Sequence, residues 1–336
     1  MTERMELAYE ALTAVWSSFS DEPVIAFEKA RLGVANHNWI LTTAQGRFVL
    51  RCVYEGKSVR DLDAEFTFIA ALERERFPYA IPVPLFAKDG SHIIEHEGRI
   101  FWGYPYLEGH TITGPVTRSQ AEQIGVMIAR MHTITERIDL KGTLNNAPFS
   151  ITPIIDDAKA MSTRTADATS TAYYREALPI FLGFVERTPY PTELEAFPIH
   201  RDINPENVLF TRDTLTAVID FDNASACDEP FVKDLANALL YSCTRDDRCA
   251  FDFERCSDMI RSYASIRSLT KKQIEAVPHL IVLGCFEDFS YEYWLAVNEP
   301  ERTNPKKLAK RFEMGQWVFE HHDDLIAILE SAIGQA

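Results

Sequence analysis

The stretch from His200 to Ala224, HRDINPENVLFTRDTLTAVIDFDNA, constrains this chain more than any other. Asp202 and Asn207 lie either side of Pro205, so the segment cannot run as an uninterrupted helix. Val208-Leu209-Phe210 and Ala217-Val218-Ile219 then flank Thr211-Arg212-Asp213 as a short hairpin, which carries Asp220 and Asp222 back toward Asp202 and Asn207. Three carboxylates and one amide converge in that arrangement. Magnesium is a hard cation that takes one or two carboxylates together with substrate phosphates, and Asn207 and Asp220 suit it. Asp202 is left to orient a hydroxyl group. Each Asp or Asn taken singly could instead cap a turn; the joint spacing is what argues for a site.

The chain changes character on the way to this stretch. Leu7, Leu12, Val15, Trp16 and Phe19 recur at helical spacing, so an opening helix is expected over Glu3 to Ser18. Val24 to Phe27, Asn38 to Thr43 and Arg47 to Val53 read as short strands, the last two joined by a turn at Thr43-Ala44-Gln45-Gly46. A helix over Val59 to Phe77 follows, with Leu62, Phe66, Ile69, Ala70 and Leu72 on one face. A hairpin turning at Glu97-Gly98 then ends in a strand running to Tyr106. Beyond Gly109, helices are expected over Ser119 to Thr135, Ala158 to Glu186, Val232 to Ser242, Ala250 to Tyr263, Lys271 to Val297 and Pro305 to Ile333. At 336 residues the chain suits two lobes, each with its own core. The expected class is α+β: a small antiparallel sheet with one main helix in a nucleotide-binding lobe, residues 1–106, and a larger, mostly helical catalytic and substrate lobe, residues 107–336.

The pattern HxDxxxxN followed by IDFD, from His200 to Asp222, resembles the catalytic and metal-binding loops of the superfamily of aminoglycoside phosphotransferases, choline kinases and type II homoserine kinases. More distantly it is similar to the HRD and DFG loops of protein kinases. The resemblance implies a bilobal, protein-kinase-like fold that transfers the γ-phosphate of ATP, with Mg2+, to an alcohol. Asp202 would be the catalytic base, Asn207 and Asp220 the magnesium ligands, and His200 a loop scaffold. Asp222 stands where protein kinases have glycine, as a third ligand or a turn residue. In the first lobe, ARLGVANHNWILTTAQGRFVLR resembles the phosphate-covering hairpin, with Gly33, Asn36 and Asn38 near the phosphates. Arg51 occupies the strand position of a phosphate-binding lysine, with Glu65 as its acidic partner. Pro105, Tyr106 and Leu107 would meet the adenine edge through their backbone. GVMIARMHTI resembles the family's long core helix, which makes His132 a buried structural histidine. DEPFVKDL makes Asp234 a supporting residue behind the catalytic loop.

Within the superfamily, GRFVLR, HRDINPENVLF and AVIDFDNA are most similar to type II homoserine kinases. Two departures stand out: Arg201, where glycine commonly follows the histidine, and Asp222-Asn223, where aromatic residues are usual. The acceptor is accordingly expected among amino alcohols, amino acids, sugars and aminoglycosides, with the homoserine-kinase-like subgroup favoured. In VLGCFEDFSYEYW, Glu287, Tyr291 and Trp294 could bind a cationic amine by charge pairing and cation–π contact. The helical spacing of Phe286, Phe289, Tyr293 and Val297 reads equally as an ordinary amphipathic helix.

With 34 basic and 50 acidic residues the formal net charge is −16, which opposes binding to nucleic acid or anionic membranes. Neither is expected as a partner. The six cysteines, with no CxxC pair, read as reduced thiols, and the first residues lack a long apolar run, so the expected location is cytoplasmic. Monomer and homodimer both remain open. Two other functions fit parts of the pattern. A protein kinase is suggested by HRD and PEN, but Asn204 replaces the expected lysine and neither DFG nor APE is present. A catalytically weak nucleotide-binding regulatory protein is suggested by Arg51 and the glycine-poor loop.

Overall fold

The computed structural model describes residues 9–30, 36–54, 56–138, 151–187, 193–224, 229–245 and 249–334. Five antiparallel strands form one sheet: β1 (Ala26–Lys29), β2 (His37–Thr43), β3 (Gly46–Cys52), β4 (Ile94–His96) and β5 (Arg99–Pro105), in the order β1-β2-β3-β5-β4. Ala44-Gln45 joins β2 to β3, pairing Asn38 with Arg51, and Glu97-Gly98, both with positive φ, joins β4 to β5 in the manner of a tight hairpin turn. Alternation along β3 sends Leu50 and Cys52 to one face, against Leu12, Val15 and Trp16 of α1 (Tyr9–Ser17). Val49 and Val53 face the other way, toward Leu62 and Phe66 of α2 (Val59–Arg74) and Trp102 of β5. Ser58 and Asp61 close a capping box at the start of α2.

The buried apolar residues form one large cluster and two smaller ones flanking the sheet. Ala64, Phe68, Ile69 and Leu72, on the opposite side of α2, belong to the large core that continues into the helical lobe. That lobe contains α3 (Arg118–Thr135), α4 (Ile151–Met161), α5 (Ala168–Arg187), α6 (Val232–Ser242), α7 (Phe253–Ala264), α8 (Lys271–Asn298), α9 (Pro305–Glu320) and α10 (His322–Ile333). Two stretches expected as single helices are each broken in two. Asp167 accepts the amides of Thr169 and Ser170 and so begins α5 afresh. At His321 the backbone leaves helical geometry and the ring turns back on the Trp317 carbonyl, which separates α9 from α10.

The small hairpin of β6 (Val208–Thr211) and β7 (Thr214–Val218) is gripped from two directions. Ala80, beyond α2, donates to the Thr216 carbonyl and accepts from the Val218 amide, each at 2.9 Å. His110, beyond β5, exchanges two 2.9 Å backbone bonds with Phe210. The loops at either end of this hairpin are therefore fixed relative to the sheet by backbone bonds, independent of side-chain choice. Among the described residues no helix is long and apolar enough to cross a membrane.

Candidate active site

The loop before β6 is held from behind by one buried carboxylate. Asp234, in the first turn of α6, accepts the backbone amides of His200 at 2.9 Å and Arg201 at 2.7 Å, and the His132 Nε2 at 3.2 Å. These donors outweigh the burial that opposes its charge and keep its carboxyl below the ordinary range. His132 is fully buried, with Nδ1 at 3.0 Å from the Tyr263 hydroxyl, so it is the structural histidine expected. His200 Nε2 donates to the Ile219 carbonyl at 3.0 Å while Nδ1 accepts from the Asp202 amide at 3.3 Å. The imidazole thus ties the loop before β6 to the one after β7. Arg201 and Asp220 both sit at left-handed φ, 68° and 66°, a strain of about 1–3 kcal/mol each that the surrounding bonds sustain.

Both carboxylate oxygens of Asp202 are positioned. Asn204 Nδ2 donates to Oδ1 at 2.8 Å and Asn207 Nδ2 to Oδ2 at 2.9 Å. Burial pushes this carboxyl up to about 6, against the opposing pull of His200 and the two amides. Because Asn207 spends its amide nitrogen on Asp202, its Oδ1 is left as an oxygen donor. Asp220 meets Arg51 through Oδ1 at 3.2 Å, and its Oδ2 has no partner among the described residues.

These oxygens fit magnesium. No group of three or more His, Cys, Asp or Glu side chains among the described residues could enclose a metal by itself, and magnesium does not need one, since it commonly takes one or two protein oxygens and completes its shell with phosphates and water.

On the sheet side the arrangement differs from expectation. Arg51 does reach the cleft, but its partners are Asp222 at 2.9 Å, Asp220 at 3.2 Å and Asn38 at 3.0 Å, not Glu65. Glu65 is paired instead with Lys57, from the loop ahead of α2, and Lys57 also reaches Asp222 Oδ1 at 3.0 Å. Asp222 is the meeting point, since Asn36 donates to its other oxygen. Burial works against the Asp222 charge, yet Arg51 and Lys57 hold its carboxyl below the usual range. Lys57 was passed over in the sequence; the available signal was a lysine next to the Ser58 cap of the helix that carries Glu65. Gly33 lies outside the described residues.

At the lobe connection, the Tyr106 amide donates to the Arg47 carbonyl at 2.9 Å, continuing the β3–β5 ladder. Alternation along an antiparallel strand then directs the Pro105 carbonyl and the Leu107 amide away from β3, on the side where the Gly103 carbonyl accepts from Leu85. Tyr106 itself is covered by the Arg47 guanidinium, 3.7 Å from the ring centre.

On the far side of Asp202, Arg201 makes a two-pronged ion pair with buried Glu229, at 2.8 and 3.0 Å. Lys233 joins Glu229 at 3.2 Å to Glu287 at 3.4 Å. These ion pairs link the loop before β6, α6 and α8. Burial raises the Glu287 carboxyl above its usual range. Tyr291 and Trp294 stack at 6.0 Å on the exposed side of α8, while Phe286, Phe289 and Tyr293 are fully buried. The helix is thus largely buried packing, joined through Glu287 to the Lys233 ion pair.

A strand-rich lobe, a helical lobe and a carboxylate-bearing loop pair between them define the class of small-molecule phosphotransferases built on a protein-kinase-like fold. The chain belongs to the phosphotransferase enzyme family APH, which residues 27–263 match. It is 28% identical over 276 residues to a homoserine kinase of Chelativorans sp. (strain BNC1), covering 82% of each chain. Among solved structures it resembles an amicoumacin kinase in complex with AMP-PNP, Ca2+ and Ami, with a TM-score of 0.69, 12% identity, and 95% of this chain and 94% of that one covered. It also resembles a microcompartment-associated aminopropanol kinase, with a TM-score of 0.68, 16% identity, and 97% and 99% covered.

Proposed function

We propose that this enzyme transfers the γ-phosphoryl group of Mg-ATP to the hydroxyl of a small amino-bearing acceptor of the homoserine type. The observation that carries the reading is the positioning of Asp202: both carboxylate oxygens are set by side-chain amides, one of them from Asn207, itself a suitable metal ligand. In this reading Asp202 orients the acceptor hydroxyl and accepts its proton, a role worth about 10²–10⁴ in rate for a placed general base. Asn207 and Asp220 hold magnesium, which when bound neutralises phosphate charge. Arg51 sets Asp220 and faces the phosphates, with Asn36 and Asn38 fixing Asp222 and Arg51 from β2 and its approach. The nucleotide sits where residues through Tyr106 meet those from Leu107 onward, its adenine edge against the Pro105 carbonyl and Leu107 amide. Arg201 pairs with Glu229 and Lys233 with Glu287, so charges of both signs stand along the Arg201 loop, α6 and α8, a lining that suits an acceptor carrying both an ammonium and an anionic group. The homoserine kinase relative points the same way.

The test is a coupled ADP-release screen over homoserine, other hydroxy amino acids, choline, ethanolamine, sugars and aminoglycosides. Turnover with a hydroxy amino acid is expected, together with a loss of at least a hundredfold in kcat for Asp202→Ala at unchanged Mg-ATP affinity. Wild-type turnover in Asp202→Ala would remove the assigned base.

A further inference from the structure

Five charged groups form an unbroken chain of alternating sign from α2 to the metal loop. Glu65 contacts Lys57; Lys57 reaches Asp222 Oδ1 at 3.0 Å; Asp222 reaches Arg51 at 2.9 Å; Arg51 reaches Asp220 at 3.2 Å. A third of the Asp220 side chain is exposed and 12% of Asp222, against 2% for Lys57 and 1% for Glu65, so Lys57 lies behind Asp222. A lysine so far out of water costs desolvation that its ion pairs only roughly repay, which makes stability alone a poor reason for keeping it. Geometry supplies a better one. Asp222 shares a single oxygen, Oδ1, between Lys57 and Arg51, so the charge left over to pull on Arg51 depends on Lys57. Arg51 in turn shares its Nη1 between Asp222 and Asp220. Removing Lys57 would turn the whole Asp222 charge on Arg51 and draw it from Asp220.

We propose that Lys57 is a positioning residue of the nucleotide site, acting through Asp222 and Arg51 to set the Asp220 carboxylate, so that α2 and the metal loop are coupled by a four-link ion relay. The inference rests on the nucleotide half of the functional reading above and is independent of the acceptor. Its readout is the dissociation constant of Mg-ATP, measured by titration on the full chain alongside the melting temperature. Lys57→Met alone strands Glu65 in the core and is expected to melt early. The double variant Lys57→Met with Glu65→Gln leaves no buried charge unpaired at that end, and its melting temperature is expected to recover. A relay predicts that Mg-ATP affinity nevertheless stays at least tenfold weaker; a purely structural ion pair predicts that affinity recovers with stability. A double variant that binds Mg-ATP within twofold of the wild type overturns the proposal. Should that variant fail to fold, Lys57→Gln with Glu65→Gln, which removes both charges and keeps two side chains able to hydrogen-bond each other, is expected to weaken binding by a similar factor, and wild-type affinity there overturns it equally. A weakened Kd in these variants of a protein that phosphorylates no acceptor would support the relay while removing the proposed function.

Discussion

Asp234 gathers three donors on one buried carboxylate. Its two oxygens satisfy two backbone amides and one imidazole in a site without water access, and those amides fix the catalytic loop one and two residues before Asp202. Asn at this position keeps the shape but turns an amide toward one of the donors. A buried donor left unsatisfied costs about 1–3 kcal/mol, so Asp234→Asn is expected to lower unfolding free energy by about 2 kcal/mol in urea titrations, and to lower kcat more than Mg-ATP affinity. The left-handed Arg201 is anchored by the same carboxylate, which is how a residue other than glycine is sustained there.

At the level of elements, Gly125 and the His279–His322 pair mark two close contacts between helices of the helical lobe. Gly125 of α3 passes so close to the Met259 carbonyl of α7 that a Cβ would overlap it. The obstacle is backbone and cannot rotate aside, so Gly125→Ala is expected to destabilise by about 1–3 kcal/mol, read as a drop in melting temperature. Between α8 and α10, His279 and His322 bring their Nε2 atoms to 3.2 Å, which requires one to carry a proton and the other to be bare. Burial, and then the charge of His322, depress His279 from the ordinary 6.5 to about 4. Between those values the unfolded chain takes up a proton that the folded chain refuses, so stability is unaffected above about 6.5 and declines as pH falls toward 4. For a half-buried ring the loss should be on the order of 1–2 kcal/mol. Denaturant titrations across this window should show it, and His279→Gln should flatten the slope.

For the whole molecule, α2 is the structural link between lobes: one side packs on the sheet, the other joins the large core, and its Glu65 begins the relay to Asp220. Ligand that binds only the folded form adds stability by mass action, about 2.7 kcal/mol at a hundred times Kd. Mg-ATP is therefore expected to raise the melting temperature, with ATP plus chelator giving a smaller rise. Asp220→Ala should erase the difference between the two; a persistent magnesium increment in that variant would move the metal elsewhere.

Much of this was legible in the sequence because it is local. The β2–β3 and β4–β5 hairpins follow from alternation and turn residues, α6 was read from Val232 to Ser242 as it stands, and the spacing of Asp202, Asn207 and Asp220 marked the loops to which the family match also extends. Breaks between α4 and α5 and between α9 and α10 were missed because apolar periodicity runs on through a cap. What the sequence could not decide is which charge meets which. Arg51 and Glu65 stand at the right separation to pair, yet Asp222, more than 150 residues from either, competes for the arginine, and Lys57 takes the glutamate. Ion partners are chosen by distance and desolvation between segments far apart in sequence, and both exist only after the chain has folded.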